Sequence, residues 1–363
     1  MRGPVSADDP SQRGTDPLSA EGRAGPPQGT QDLLFAAARR LRRCEAALAA
    51  VFEANGYAEV IPPSIERAEV FAATASDADA LSALRAVDRA GHLLALRADF
   101  TAQVARIAAT RLAGISPLRL YYRGSVVRDS AAEAGVPRER LQSGCELVGA
   151  PGPEADAEIL ALAEAALDAL GLAGSARISV GAVGYFSALL QAAGAGPRLA
   201  RALSDAVDRK DLPTLRALCT RELAPGPARD ALIALAQPPR PQPEALGPLA
   251  RARETAPTQA AGAALARLEA ALAKARETGL GAELEVDRGE VRGLGYYTGL
   301  VFNLYVAGAP RAVGGGGRYD TLLGRFGDPR PAVGFSLDLD ALMPLAALDG
   351  AALPSAPPAG GAR

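Results

Sequence analysis

Histidine, cysteine, lysine and tryptophan are scarce or absent in this chain of 363 residues. The single histidine is His92, so a site built on a histidine base, or a metal cluster that contains histidine, would have to use it. His92 stands near the start of a predicted strand and is interpreted as an ordinary polar residue. The three cysteines, Cys44, Cys145 and Cys219, are far apart and form no CxxC pair, which predicts neither a disulfide framework nor a zinc site. We therefore expect no metal and no cofactor.

Strong net charge and long apolar runs are also lacking. The formal net charge is −2, so no global basic field favours bulk attraction to nucleic acid. No run of about 18 apolar residues occurs, so no membrane span is expected. Residues 1–28 are rich in Pro, Gly, Asp and Ser and lack the apolar core of a signal peptide, which predicts a disordered tail. We also expect a flexible C-terminal tail over 346–363 and a cytoplasmic protein.

What the chain does contain is a succession of helical and β-rich segments. Apolar residues at helical spacing predict helices over 33–54, 101–112, 155–170 and 338–347, and a mostly helical stretch over 187–279. The Pro-rich part of that stretch, 237–248, is expected to separate helical units or to form a surface loop. Strands are predicted over 57–61, 93–96, 120–128, 142–148, 284–286, 300–306 and 332–337, with a thirteen-residue loop over 129–141. This order is typical of an α+β fold, and no glycine-rich phosphate loop stands between a strand and a helix.

Two segments in the first half of the chain could bind a polar ligand. Asp99 and Thr101 are two residues apart, so on an extended chain they would face the same side and could hold an ammonium group. The alternative is that one of them caps the following helix. Arg128 ends a strand whose predicted partner strand carries Gln142 and Glu146. An arginine at that position can bind a carboxylate or a phosphate through two hydrogen bonds. The alternative is an arginine in solvent at a strand end.

Two segments in the second half are rich in glycine. In the segment 291–299, glycines surround Arg292, Tyr296 and Tyr297, which would let a small ligand approach the backbone. The alternative is a turn followed by a strand with packed tyrosines. A run of four glycines then precedes Arg318 and Tyr319, and such a run favours either close contact with a ligand or a flexible loop.

In this order, these segments resemble histidyl-tRNA synthetase over about 29–345. The matching elements are Gly29-Thr30-Gln31-Asp32-Leu33, Leu96 to Thr101, Arg128 in motif 2, Gln142 to Gly149, Arg292-Gly293-Leu294 with Tyr296-Tyr297, Gly316-Gly317-Arg318-Tyr319-Asp320, and Pro331 to Phe335 in motif 3. The resemblance implies a class II aminoacyl-tRNA synthetase-like antiparallel sheet with flanking helices and a helical insertion over about 185–279. It also implies a histidine-like pocket formed by Asp99, Thr101, Arg128, Gln142, Glu146, Arg292, Tyr296, Tyr297 and Tyr319.

The departures from that family fall on the ATP side of the site. Motif 3 should place an arginine after its acidic residue, but Asp340 is followed by Ala341, which offers no guanidinium donors. After Arg128 the family's His-Glu is replaced by Asp129-Ser130, and the basic residues of the loop are largely lost. Each lost contact to developing charge costs about 10²–10³ in rate, so we expect no adenylation and no catalytic residue. We also expect no anticodon-binding domain, because too few residues follow motif 3.

A synthetase relative of this kind is similar to the regulatory subunit of ATP phosphoribosyltransferase. The resemblance rests on Leu96 to Arg106, on Val180 to Leu190 and on Asp208 to Leu212, although Ala182 stands where that family is expected to have histidine. It implies a non-catalytic protein of histidine biosynthesis that activates a short catalytic subunit and enables feedback inhibition by histidine. The expected assembly is a homodimer within a hetero-oligomer, without tRNA and without a membrane.

Two alternatives stay open at this point. One is an active histidyl-tRNA synthetase that lacks its anticodon domain, against which Ala341 argues. The other is a stand-alone amino-acid sensor.

Overall fold

The computed structural model describes residues 25–72, 83–129, 137–291 and 296–348. The tails predicted over 1–28 and 346–363 lie for the most part outside the described residues, as does Arg292. The α-helices are α1 Phe35–Ala54, α2 Ala68–Ala72, α3 Thr101–Thr110, α4 Pro153–Ala169, α5 Val183–Ala192, α6 Pro197–Asp208, α7 Leu212–Glu222, α8 Pro227–Ile233, α9 Gln242–Glu254, α10 Gln259–Glu277 and α11 Leu339–Leu342. The strands are β1 Ala58–Glu59, β2 Ile65–Arg67, β3 Arg85–Val87, β4 Leu93–Leu96, β5 Leu118–Val127, β6 Glu139–Val148, β7 Ala176–Ala182, β8 Arg240–Pro241, β9 Glu283–Val286, β10 Leu300–Val306, β11 Gly314–Arg318 and β12 Ala332–Asp338.

Nine strands form one sheet in the order β1-β5-β6-β12-β11-β10-β7-β9-β8, and β2, β4 and β3 form a second, smaller sheet. Most neighbours in the large sheet are antiparallel, as predicted, but β1 with β5 and β7 with β9 are parallel. Parallel neighbours need a long crossover connection. The helical segment between β7 and β9 provides one, so the predicted insertion also explains why the sheet is mixed.

The two faces of the large sheet differ in character. Side chains alternate between the faces along each strand. Cys145 and Leu147 of β6, and Val333 and Phe335 of β12, point to the face that packs against α1, α4 and α10 in the main hydrophobic core. Glu146 points to the opposite face, which we call the front face. The strand order therefore places the polar residues of several strands side by side on the front face.

Several predicted elements are confirmed and others are wrong. The strands over 93–96 and 300–306 have the predicted bounds, and the predicted helix over 33–54 begins two residues later. The loop over 129–141 was predicted too long, because Glu139 and Arg140 pair with the end of β5 through backbone hydrogen bonds that do not need apolar side chains. Residues 130–136 of that loop lie outside the described part of the chain.

Proline and glycine caused two further errors. Residues 242–248 were expected to separate helical units or to form a surface loop, but they begin α9. One proline lies in the first turn, where a helix accepts it, and Pro248 lies inside the helix. For the glycine run, the sequence left two interpretations open: close contact with a ligand, or a flexible loop. It forms β11 in the middle of the large sheet, where an added Cβ at Gly316 would lie 2.0 Å from a carbonyl oxygen of β12. The final helix, predicted over 338–347, ends at Leu342.

Candidate functional site

Glu146 lies at the centre of the front face and is only 1% exposed. Three hydroxyl groups donate to its carboxylate. The hydroxyl of Thr101, at the start of α3, lies 2.8 Å from Oε1, that of Tyr122 lies 3.3 Å from the same oxygen, and that of Tyr319 binds Oε2. The strand pair β5–β6 positions Tyr122, and the residue after β11 is Tyr319. These four side chains come from four separate elements and form one hydrogen-bonded group.

Glycine in the neighbouring strand β12 leaves room for the side chain of Glu146. Gly334 of β12 is the register partner of Glu146, and a Cβ added at Gly334 would lie 1.7 Å from Glu146 Oε2. A Cβ at Gly144 would lie 2.6 Å from the Tyr122 hydroxyl. Any side chain at either position would displace the carboxylate group or its donor. The glycines are therefore required by close approach of the chains.

The pKa of Glu146 is raised to about 8: burial is the main cause and the negative charge of Asp99 adds to it, while hydrogen bonds from Tyr319, Thr101 and Tyr122 act in the opposite direction. A buried carboxylate with such a pKa holds a proton at neutral pH for much of the time. A cationic group placed against it would favour the ionised form and displace that proton. The site is thus suited to an ammonium group or to a protonated imidazole.

Aromatic rings form one wall beside the carboxylate. The ring centroids of Tyr296 and Tyr297 are 4.5 Å apart, and Tyr296 meets Tyr319 edge to face at 5.7 Å. Burial raises the pKa of Tyr297, so its hydroxyl stays protonated and can donate a hydrogen bond. A flat, polar ring would find both stacking surfaces and hydroxyl partners here.

Asp99 and Thr101 do not act in the same way. Asp99 accepts a hydrogen bond from the backbone N–H of Ala102 at 2.9 Å, so the capping alternative is confirmed for Asp99. Thr101 instead donates to Glu146. Asp99 is still near enough for its charge to raise the pKa of Glu146. Its role in holding an ammonium group stays a prediction.

Arg128 and Gln142 lie farther from the carboxylate. Arg128 Nε donates to the carbonyl oxygen of Ala98 at 2.9 Å, which turns its guanidinium towards the segment that carries Asp99. Gln142 pairs with Asp338 of β12 and lies four residues before Glu146, or about 13 Å along the strand. A ligand that contacts both Glu146 and Gln142 would have to extend along β6.

The expected position of the motif 3 arginine is used differently in this chain. The backbone N–H of Ala341 bonds to the carboxylate of Asp338, which caps α11. Asp340 accepts a hydrogen bond from the backbone N–H of Leu141 at 2.7 Å and another from Gln31 at 2.9 Å. Asp340 therefore connects the C-terminal helix α11 to β6 through a hydrogen bond. The methyl group of Ala341 stands where the synthetase family is expected to have a guanidinium.

Sequence reasoning missed one residue that shapes the pocket, Tyr122, and the contacts of another, Arg318. Tyr122 was seen only as part of a β-rich run, because its contact with Glu146 depends on the register of β5 and β6. Arg318 is 0% exposed and binds Asp156 at 2.8 Å, Asp320 at 3.1 Å and the carbonyl oxygen of Gly152 at 3.0 Å. This network fixes the end of β11 and thereby the position of Tyr319. The motif around Arg318 was recognised, but its ion pair across 162 residues was not.

A cavity of about 200 Å³ lies on the other side of the sheet, and Ala182, Asp156 and Arg267 are among its lining residues. It does not include Glu146. Ala182 is the position where histidine was expected, so its small side chain contributes to the open space. Within the described residues, no three metal-ligand side chains stand together, and no helix there is long and apolar enough to cross a membrane.

Comparison with known proteins places these features in context. A family model described as histidyl-tRNA synthetase matches residues 29–342 of this chain. The chain is 43% identical over 317 residues to the ATP phosphoribosyltransferase regulatory subunit of Anaeromyxobacter sp. (strain Fw109-5), with 86% of this chain and 90% of that protein covered. It is 37% identical over 322 residues to the protein of the same name from Geobacter sulfurreducens, covering 87% and 72% of the two chains.

A solved structure shows the same architecture. The ATP phosphoribosyltransferase regulatory subunit/histidyl-tRNA synthetase from Bacillus halodurans is 29% identical, with a TM-score of 0.79, and the match covers 90% of this chain and 84% of that one. The predicted class II aminoacyl-tRNA synthetase-like fold, with its flanking helices, is confirmed.

Proposed function

This chain belongs to the family of ATP phosphoribosyltransferase regulatory subunits, and from that premise we propose that it activates a short catalytic subunit in the first step of histidine biosynthesis and enables feedback inhibition by histidine. The observation that carries the proposal is the buried carboxylate of Glu146, surrounded by hydroxyl donors and tyrosine rings. A histidine molecule has both a cationic group and a flat polar ring. The pocket offers a matching partner to each.

Histidine would bind on the front face. Its cationic or imidazole group would meet Glu146, and Thr101, Tyr319 and Tyr297 would orient it. Asp99 would contribute negative charge from the start of α3. Arg128, Gln142, Arg292 and Tyr296 complete the proposed pocket by resemblance to the synthetase site. To regulate, histidine must bind two states of the assembly with different affinity.

The chain would have no catalytic activity of its own. Ala341 supplies no guanidinium for ATP phosphates, and Asp340 is committed to hydrogen bonds with Leu141 and Gln31. Phosphoribosyl transfer would therefore take place on the catalytic subunit. Purified chain incubated with histidine and ATP should show no histidine-dependent pyrophosphate exchange. Measurable exchange would favour the active-synthetase alternative.

The decisive experiment combines this chain with a short-form ATP phosphoribosyltransferase catalytic subunit. We expect the rate of phosphoribosyl-ATP formation to rise when the chain is added, and histidine to inhibit the mixture more strongly than the catalytic subunit alone. The assay follows product formation with and without histidine at fixed catalytic subunit. An unchanged rate together with unchanged inhibition would contradict the proposed function.

The proposed assembly includes a homodimer formed through the small sheet. Ile61 is 82% exposed, Ile65 of β2 is 54% exposed, and Leu96 of β4 is 38% exposed. Ile65 and Leu96 are register partners, so both point to the same face of the small sheet. An apolar group of this kind on one surface is typical of a protein contact.

Charging this surface should separate the protomers. In Ile65→Lys a buried cation would lie at the interface, and we expect the mass in solution to fall to that of a monomer. Light scattering after size-exclusion chromatography measures the mass. The matched control is Ile115→Lys, at a residue that is 53% exposed and lies outside the small sheet. An Ile65→Lys protein with the same mass as wild type would rule out this interface.

A further inference from the structure

The N-terminal half of α1 carries a cluster of arginines that the described residues do not neutralise. Arg39, Arg40 and Arg43 are all exposed. Within the described part of the chain, Arg39 and Arg43 have no ion-pair partner, and Arg40 donates only to the carbonyl oxygen of Ala346 at 2.7 Å. The helix has no acidic residue in its first turn. Arginines three and four residues apart on a helix repel one another.

This cluster borders an apolar groove of about 500 Å³. Ala36 and Ala37 of α1 form one wall, and Met343, Pro344 and Leu348 form the other. Arg40 and Arg43 line the same groove, so cationic and apolar surfaces are contiguous. We call this surface the α1 groove.

Large apolar side chains also lie just before the groove residues. Leu34 is 61% exposed and Phe35 is 66% exposed, and Phe35 has a φ of 45°, which is uncommon for a residue other than glycine. Exposed aromatic and aliphatic side chains next to arginines that have no ion-pair partner among the described residues are typical of a protein-binding surface. The chain as a whole carries a net charge of −2, so this basic surface is a local feature.

We propose that the α1 groove binds an acidic, apolar-bearing segment of the catalytic subunit. This inference rests on the proposed function, which supplies the partner. Carboxylates of the partner would pair with Arg39 and Arg43, and its apolar side chains would enter the space between Ala37 and Met343. Opposite charges would speed association and fix the register of the two surfaces. A nucleic acid would satisfy the arginines but would leave the apolar wall without a partner.

Charge reversal tests the ionic half of the proposal. Arg39→Glu/Arg43→Glu leaves the Arg40 hydrogen bond in place, and we expect binding of the catalytic subunit to weaken at least tenfold at low salt. The matched control, Arg216→Glu/Arg276→Glu, makes the same charge change at two exposed helical arginines away from the groove. Surface plasmon resonance at two salt concentrations measures both variants. The wild-type affinity should fall with salt, and the affinity of the groove variant should fall much less.

A neutral variant tests the apolar half. Ala37→Gln places a longer side chain in the groove and suits a helix, so we expect at least tenfold weaker binding with an unchanged melting temperature. Ala50→Gln, at an exposed position two turns beyond the groove on the same helix, should bind like wild type. Wild-type affinity in both groove variants would overturn the assignment. Equal loss in the charge-reversal control would also overturn it, as would tRNA binding through Arg39 and Arg43 without any effect on the catalytic subunit.

The failure of this inference can be told apart from failure of the proposed function. If the wild-type chain does not bind the catalytic subunit at all, the proposed function fails and the groove loses its partner. If the wild-type chain binds and activates, but the groove variants do so equally well, only the groove assignment fails.

Discussion

Replacing Glu146 by glutamine is expected to weaken histidine binding by about a hundredfold and to abolish inhibition of the assembled enzyme. Glutamine keeps the shape of the side chain and can still accept hydrogen bonds from Thr101 and Tyr319. It cannot become negative, so the cationic group of the ligand loses its partner in a buried site. Loss of one member of a buried charge pair costs about 2–5 kcal/mol, and 2.8 kcal/mol corresponds to about a hundredfold. Isothermal titration calorimetry with histidine measures the effect.

The control for this variant is Glu139→Gln, which removes a carboxylate from the same strand at a position far from the hydroxyl donors. It should bind histidine like wild type. Circular dichroism should show that both variants are folded. Equal affinity of Glu146→Gln and wild type would show that the pocket is not the histidine site, even if the chain still activates its partner.

The same substitution should change how stability depends on pH. Burial raises the pKa of Glu146 to about 8, whereas an unfolded glutamate titrates near about 4.3. Because the folded-state pKa is the higher one, its contribution is fully present below about pH 4.3 and is lost as pH rises towards 8. The melting temperature of wild type should therefore fall relative to Glu146→Gln between pH 5 and 8 and level off above. Parallel melting curves would contradict the raised pKa.

Replacing Arg318 by methionine is expected to destabilise the fold by about 3–5 kcal/mol, the cost of leaving a buried charge without its partner. Asp156 is 4% exposed and would be left in the core without the guanidinium that now lies 2.8 Å away. The carbonyl oxygen of Gly152 would also lose its donor. Because the residue after Arg318 is Tyr319, the pocket should be disturbed as well. Chemical denaturation measures the free energy of unfolding.

A second substitution distinguishes the ion pair from simple loss of packing. Arg318→Met/Asp156→Asn removes both charges, and we expect it to be more stable than Arg318→Met alone. Arg311→Met is the control, because the Arg311 side chain is 44% exposed in its pair with Asp338 and should contribute about 1 kcal/mol or less. A double variant as unstable as Arg318→Met would mean that the methionine itself does not fit.

The fold could be predicted well where local pattern and tertiary structure agree. The apolar face of α1 follows from side-chain periodicity, and the strands over 93–96 and 300–306 follow from short apolar runs. The predictions were wrong in the segments that are rich in proline or glycine. A glycine run is commonly a flexible loop, yet β11 needs glycine because the neighbouring strands approach too closely for a Cβ. The prolines of 237–248 argued against a helix, yet α9 contains proline in its first turn and, at Pro248, in its interior.

The candidate site could be predicted in its residue types but not in its contacts. The ordered motifs placed Thr101, Glu146 and Tyr319 in one pocket, and the structure brings them together through hydrogen bonds to the Glu146 carboxylate. They did not reveal Tyr122, and they left open whether Asp99 caps a helix, which it does. Capping depends on where α3 begins, and the contact of Tyr122 depends on strand register. Neither can be read from residue spacing along the chain.

The sequence by itself determined the family, the synthetase-like fold and the loss of the motif 3 arginine at Ala341, because these depend on which residue types follow one another. The tertiary structure alone decided that hydroxyls from residues 45 and 173 positions away meet on Glu146. It also decided that this carboxylate is buried, which raises its pKa and makes it a partner for a cation. The physical reason is that burial and strand register arise from long-range packing, and a linear order of residues does not contain them.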